Sequence, residues 1–157
     1  MFLQPLPPPK CWLFQFNPAL YRWFDRISET QEPEQWLTTH YASSISKGDR
    51  VAIWAAGEKA GVYALGQTIT YPTITALNPE QEKYWVDKSG ISKFKEKPSV
   101  TVKYLKLMCD RPITQQQCRD DSVLSTLQVF SNPQGTNFLM TRLQWQRLLE
   151  LIAQCGL

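Results

Sequence analysis

At 157 residues, 43% hydrophobic and 20% charged, the chain has ordinary globular usage and the length of one domain. A chain of this size buries about two-thirds of its unfolded surface, so it needs no disulfide staples. The formal net charge of +3 admits an anionic partner without requiring one, and no apolar run reaches the ~20 residues of a membrane span.

The opening MFLQPLPPPK lacks the basic start of a signal peptide. Pro5, Pro7, Pro8 and Pro9 make residues 1–9 a proline-rich, extended, polyproline-like lead-in. CWLFQF (11–16) is rich in strand formers and puts Trp12, Phe14 and Phe16 on one face. Asn17-Pro18 breaks that strand, and helices are expected over 19–27 and 34–41. Lys47-Gly48-Asp49 turns into a strand over 50–54. A long strand follows over 61–71, where Gly66 implies a bulge or a sharp bend. Residues 72–82 are turn-rich, 84–86 read as a short strand, and 89–98 as a Lys-rich loop.

SVTVKYLKLM (99–108) is a clear strand, followed by short helical pieces over 112–119 and 122–127. Val129-Phe130 and Asn137-Phe138-Leu139 are split by Pro133-Gln134-Gly135. Thr141 and Gln144 fit a capping box that opens a last helix, with Trp145, Leu148, Leu149 and Ile152 as its apolar stripe. Strands in the middle, helices at both ends and a glycine-bent strand favour an α+β fold. Its expected form is a closed or nearly closed barrel with helices outside.

Catalytic patterns are missing from the sequence. His40 is the sole histidine and stands in no triad context. Neither a GxxxxGK[ST] loop nor a GxGxxG is present. Cys11, Cys109, Cys118 and Cys155 form no CxxC pair, which argues against a zinc site and fits reduced thiols in a cytoplasmic protein. The carboxylates Glu32, Glu34, Glu80, Glu82, Asp120 and Asp121 read as solvated surface. The expectation is a protein that is not an enzyme and carries no metal and no cofactor.

Aromatic residues, 12% of the chain with six Trp, are the positive signal. In RVAIWAAGEKAGVYALGQ, Trp54 stands beside Ala55, Ala56 and Gly57. A flat ring next to small residues can wall a slot, and stacking a nucleobase on it contributes about 1–3 kcal/mol. Two such walls with a polar group at the floor would accept one base removed from its stack. Packing of Trp54 in the core is the competing reading.

Four separated segments resemble the EVE domain: CWLFQFNP, KGDRVAIWAAG with AGVYALGQ, SVTVKYLKL, and PQGTNF followed by a helix. The resemblance covers about residues 10–153, and residues 10–157 are taken as the domain. EVE domains belong to the PUA-like superfamily and are similar in fold to YTH domains, which read methylated adenine in RNA. The resemblance implies a PUA-like bent β-barrel flanked by helices, with a partly aromatic pocket for a modified base. Members are associated with modified cytosine in DNA, and others with RNA.

Carried over by position, the resemblance implies a base pocket of Phe16, Asn17, Trp36, Trp54, Ala55, Gly57, Gly61, Thr136, Asn137 and Phe138. Trp36 and Trp54 would be its facing walls, about 7 Å apart so that one planar ring fits between them. Asn17 could instead cap the following helix, Trp36 could be core, and residues 135–137 could be only a tight turn. Ala56 stands where a Ser is common, Thr70-Tyr71-Pro72 where an acidic residue is common, and Leu139 where Pro is common. These departures leave the identity of the base open.

Lys93, Lys95 and Lys97, with Lys88, Lys103 and Lys106, are candidate phosphate contacts, a solvated face being the alternative. The resulting expectation is non-catalytic binding of a modified nucleobase, modified cytosine in DNA, by a monomer. An RNA-binding module of PUA-like type is the alternative. No nuclease or motor motif is present, so an effector protein in trans would carry any downstream step.

Overall fold

A computed structural model describes residues 7–156. The chain runs β1 (Cys11–Phe16), α1 (Trp23–Glu29), β2 (Glu34–Leu37), β3 (Arg50–Ala55), β4 (Gly61–Thr68), α2 (Pro79–Glu82) and α3 (Ser89–Ser92). After a 3-10 turn (Lys93–Lys95) come β5 (Ser99–Leu107), β6 (Ile113–Thr114) and α4 (Gln115–Asp120). A second 3-10 turn (Leu124–Thr126) leads to α5 (Gln128–Ser131), β7 (Asn137–Met140) and α6 (Arg142–Gln154).

All strands join one curled sheet in the order β2-β5-β4-β3-β1-β7, with β6 on the end of β4. Among the described residues only β1 and β3 run parallel, with Phe16 opposite Ala55 and Gln15 opposite Trp54. The register of β4 with β5 shifts between Leu65 and Gly66. A Cβ at Gly66 would lie 2.7 Å from Val102 Cγ1 and 2.8 Å from the Lys103 carbonyl, so β5 approaches closer than a side chain allows. The bulge expected there is the device that bends the sheet.

Strand parity then sorts the core. Trp12, Phe14 and Phe16 of β1 share a cluster with Val51, Ile53 and Ala55 of β3, together with Trp23 and Trp36. Cys11, Leu13, Ala52 and Trp54 face the other way, onto Trp145, Leu148 and Ile152 of α6. Both faces of β1 and β3 are therefore buried, one within the curl and one beneath the helices.

The sheet stops short of closing. β2 and β7 are its two ends, and they do not pair. Asn137 Nδ2 donates to the Leu37 carbonyl at 2.9 Å, so a side chain spans the gap that a ladder would otherwise fill.

Three expected elements differ. The helix expected over 34–41 is instead strand β2 followed by turns. Its residues pair with the free edge of β5, Trp36 opposite Val100, and that pairing outweighs the helical reading of so short a segment. The strand expected over 84–86 is reduced to a single bridge between Trp85 and Tyr21. The Lys-rich loop contains two helical turns.

The capping box of α6 is present: Thr141 Oγ1 accepts from Gln144 N at 3.0 Å, and Gln144 Oε1 accepts from Thr141 N at 2.9 Å. Leu149, at 41% exposure, lies off the buried stripe. Of the proline-rich lead-in, residues 1–6 lie outside the described residues, and 7–10 have no regular structure.

Candidate functional site

Where the sheet fails to close, the seam opens into a cavity of about 420 Å³. That volume lies within the usual range for small-ligand sites. Phe16 at the end of β1, Tyr21 before α1, Trp36 on β2 and Trp85 supply aromatic walls. The walls pack on one another and on Trp23. The Phe16 ring lies 5.1 Å from Trp23 and 6.3 Å from Trp36, and the Tyr21 ring lies 4.7 Å from Trp85.

Trp85 rests on the backbone of Gly90, so closely that a Cβ at Gly90 would overlap its ring. The rim formed by residues 133–136 is tied to β1. Gln15 Nε2 donates to the Pro133 carbonyl at 2.9 Å and to the Gly135 carbonyl at 2.7 Å, and Gln15 N donates to the Thr136 carbonyl at 2.8 Å. Phe138 packs under that rim, 2.7 Å from where a Cβ of residue 135 would sit, which is why a glycine stands there.

Among the described residues the lining holds no carboxylate, and its only charged residue is Lys93. Asn17 Oδ1 accepts from Ala19 N at 2.9 Å, an Asx turn that occupies the oxygen of its amide. Trp85 Nε1 and Asn137 Oδ1 are buried without a hydrogen-bond partner among the described residues.

Behind the walls lies a polar network. Glu34, at 0% side-chain exposure, accepts from the hydroxyls of Tyr21 and Tyr104 and, at 3.1 Å, from Trp23 Nε1. Tyr104 Oη in turn accepts from Trp36 Nε1 and Trp23 Nε1, each at 3.1 Å. The buried Arg26 guanidinium lies 3.6 Å from Glu34 and 2.5 Å from Glu80.

Burial pushes the Glu34 carboxyl above the usual carboxylate range, with Arg26 and three donors pulling the other way. Burial, then the Glu34 charge, holds the Tyr21 and Tyr104 hydroxyls far above the ordinary phenol range. The reading of Glu34 as solvated surface is thus corrected: it is the anchor of a buried cluster, and its spacing in the sequence carried no sign of this.

The residues implied by resemblance separate into two groups. Phe16, Asn17, Trp36 and Thr136 come together in the cavity lining. Trp54 does not join them. At 2% exposure it sits on the opposite face of the sheet, edge-on to Phe130 at 5.6 Å. The pairing of Trp36 with Trp54 across an open gap is therefore absent, because alternate residues of β3 point to opposite faces.

Ala55 is buried on the Phe16 side, and its neighbour Ala56 lines the cavity in its place. Gly57 has φ +98, a turn conformation that suits glycine. Gly61 packs on β6, where a Cβ would meet the Ile113 carbonyl at 2.5 Å. Asn137 bridges the seam, and Phe138 belongs to the helix-side core. Lys93 reaches the lining, while Lys95 and Lys97 are exposed along the same segment.

Gln15, Tyr21 and Trp85 line the cavity without having been picked out from sequence. Trp85 lacks the contrast that drew attention to Trp54: Val86, Asp87 and Lys88 follow it, and its glycine stands five residues on.

Among the described residues, no group of three His, Cys, Asp or Glu could hold a metal ion. No helix among them is long and apolar enough to cross a membrane.

The EVE domain family model matches residues 10–151. Among solved structures, a hypothetical protein from Leishmania major superposes with a TM-score of 0.71 at 18% identity, covering 96% of this chain and 98% of its own. Human THYN1 protein, in complex with DNA containing 5-methylcytosine, superposes with a TM-score of 0.65 at 13% identity, covering 90% and 96%. Rpa0253 from Rhodopseudomonas palustris superposes with a TM-score of 0.61 at 17% identity, covering 87% and 88%. No curated protein matches the sequence.

Proposed function

The chain belongs to the EVE domain family, whose model matches residues 10–151, and on that premise we propose that it is a non-catalytic, nucleic-acid-binding protein that takes one modified base into the seam cavity. The observation that carries this reading is the cavity itself. Phe16, Tyr21, Trp36 and Trp85 surround it at the one place where the curled sheet stays open.

Removing a base from its stack costs a few kcal/mol. Stacking against aromatic walls offsets this by about 1–3 kcal/mol per base, and phosphate contacts from Lys93, Lys95 and Lys97 would supply the rest of the affinity. The free amide nitrogen of Asn17 and the hydroxyl of Thr136 are polar groups of the lining that would meet a base edge.

Modified cytosine in DNA is the favoured ligand, because a structural neighbour of the same fold, human THYN1 protein, is seen with 5-methylcytosine DNA. The four free cysteines support a reducing, cytoplasmic setting. In this reading the protein acts as a monomer, and an effector protein in trans carries any downstream step.

The test is a tryptophan-fluorescence titration at one fixed salt concentration. Three probes are used: a DNA duplex with a single 5-methylcytosine, its unmodified counterpart, and a single-stranded RNA with one 5-methylcytosine. The methylated duplex is expected to bind tightest, and Trp36→Ala to abolish its advantage. Tightest binding to the RNA would move the reading to an RNA-binding module. Equal, non-quenching titrations for all three probes would sink it.

A further inference from the structure

We propose that the buried carboxylate of Glu34 sets the gap between two walls of the cavity, Tyr21 and Trp36, and thereby which flat ring the cavity admits; this rests on the reading of the cavity as a base site. Neither Glu34 nor Tyr104 lines the cavity. Both walls nevertheless end on them. Tyr21 donates its hydroxyl directly to Glu34, whereas Trp36 donates its indole N–H to Tyr104 at 3.1 Å, and Tyr104 donates to the other oxygen of the same carboxylate. The three aromatic residues come from separate parts of the fold: the segment before α1, strand β2 and strand β5. One carboxylate thus fixes the position of one wall relative to the other.

Packing alone does not call for this arrangement. An ion pair with both side chains at 0% exposure, as Arg26 and Glu34 are, is commonly no more stabilising than apolar residues of the same volume. What a carboxylate adds is direction. Hydrogen bonds to a charged acceptor are shorter and stronger than neutral ones and hold a ring at one angle.

Gln81 extends the same frame: its amide nitrogen reaches Tyr21 Oη at 3.4 Å and its amide oxygen accepts from Gln35 N at 2.8 Å, beside Trp36 on β2. Walls held this way do not close around a ligand. The cavity is preformed, and a ring is accepted or refused by fit rather than by adjustment. Glu34 and Tyr104 are positioning residues, acting through Tyr21 and Trp36.

The experiment compares wild type with Tyr104→Phe, which keeps the ring and removes the link from Trp36 to Glu34, and with Glu34→Gln. The probes are a DNA duplex containing one 5-methylcytosine and its unmodified counterpart, and circular dichroism establishes that each variant is folded. Three quantities are read: the ratio of the two affinities, the salt slope, and the exchange rate of the Trp36 indole N–H by NMR.

In Tyr104→Phe, the preference for the methylated duplex is expected to fall roughly five- to tenfold, the loss of about one hydrogen bond. The salt slope stays at its wild-type value because no phosphate contact is touched. Exchange of the Trp36 indole N–H accelerates by a similar factor. A folded Tyr104→Phe protein with wild-type preference and wild-type indole exchange overturns the proposal. Should Glu34→Gln not fold, Tyr104→Phe alone decides. Should wild type show no preference at all, the base-binding reading fails and this inference falls with it; a wild type that prefers the methylated duplex beside an unchanged Tyr104→Phe overturns this inference alone.

Discussion

Trp36 and Trp54 are both nearly buried, at 6% and 2% exposure, yet they belong to opposite sides of one sheet. On the helix side, Trp54 stands edge-on to Phe130 and shares an apolar cluster with Met108 and Leu148. On the curl side, Trp36 shares its surroundings with a cavity and a network of hydroxyls, a carboxylate and a guanidinium. The contrast shows that burial alone does not tell an indole in the core from one that walls a cavity. The difference lies in what the rest of the ring meets, and here that follows from which edge of the sheet was left unpaired.

Trp54→Ala is the sharpest way to break this contrast. It would leave a large void in the helix-side core and is expected to cost about 3–5 kcal/mol, the range for removing a buried Trp. Urea unfolding would measure the cost. Below the unfolding midpoint, the folded protein should keep its wild-type preference for a methylated duplex. A loss of preference with little loss of stability would reverse the roles assigned to the two indoles.

How much of this was legible in the sequence follows from the same parity. The alternation in CWLFQF put Trp12, Phe14 and Phe16 on one face, and they do share one cluster. The glycine bend in β4 and the capping box of α6 rest on local rules, and both are found. Long-range pairing was not legible. Only the parallel alignment of β1 with β3 shows that Phe16 shares its face with Ala55 and not with Trp54.

Likewise, residues 34–37 become a strand because β5 has an edge for them, which no local pattern announces. Glu34 looks like any surface carboxylate until Tyr21, Trp23, Arg26 and Tyr104 converge on it. The wall formed by Trp85 depends on a helical turn that folds Gly90 beneath its ring, a contact made by tertiary packing.

That contact yields a smaller, more local prediction. Gly90 is a helical residue with no positive φ, so Gly90→Ala strains no backbone. The added methyl would instead overlap the Trp85 ring and force it toward or away from the cavity. Overpacking of this kind costs about 1–3 kcal/mol. Because the displaced ring is a cavity wall, the preference for a modified base should fall with it, measured as the ratio of affinities for methylated and unmodified duplexes. Trp54→Ala should thus lower stability and spare preference, while Gly90→Ala should lower both. A Gly90→Ala protein with unchanged preference would remove Trp85 from the working walls.

The smallest expected effect concerns Lys93, which touches the cavity from the 3-10 turn that follows α3. Its ammonium has two candidate roles: contacting the phosphate beside a flipped base, or reaching the base itself. Phosphate contacts carry no sequence information, whereas a donor to a base edge does. Lys93 is exposed and makes no ion pair among the described residues, so Lys93→Ala should leave stability nearly unchanged. If Lys93 contacts one phosphate of a duplex, the slope of log affinity against log salt should become shallower by about 0.9. Methylated and unmodified duplexes should then weaken together, with their ratio preserved. Titrations of both duplexes across several salt concentrations read slope and ratio at once. A preserved slope with a fallen ratio would carry Lys93 across the line from backbone contact to base reader, giving the curl-side site a charged wall as well as its aromatic ones.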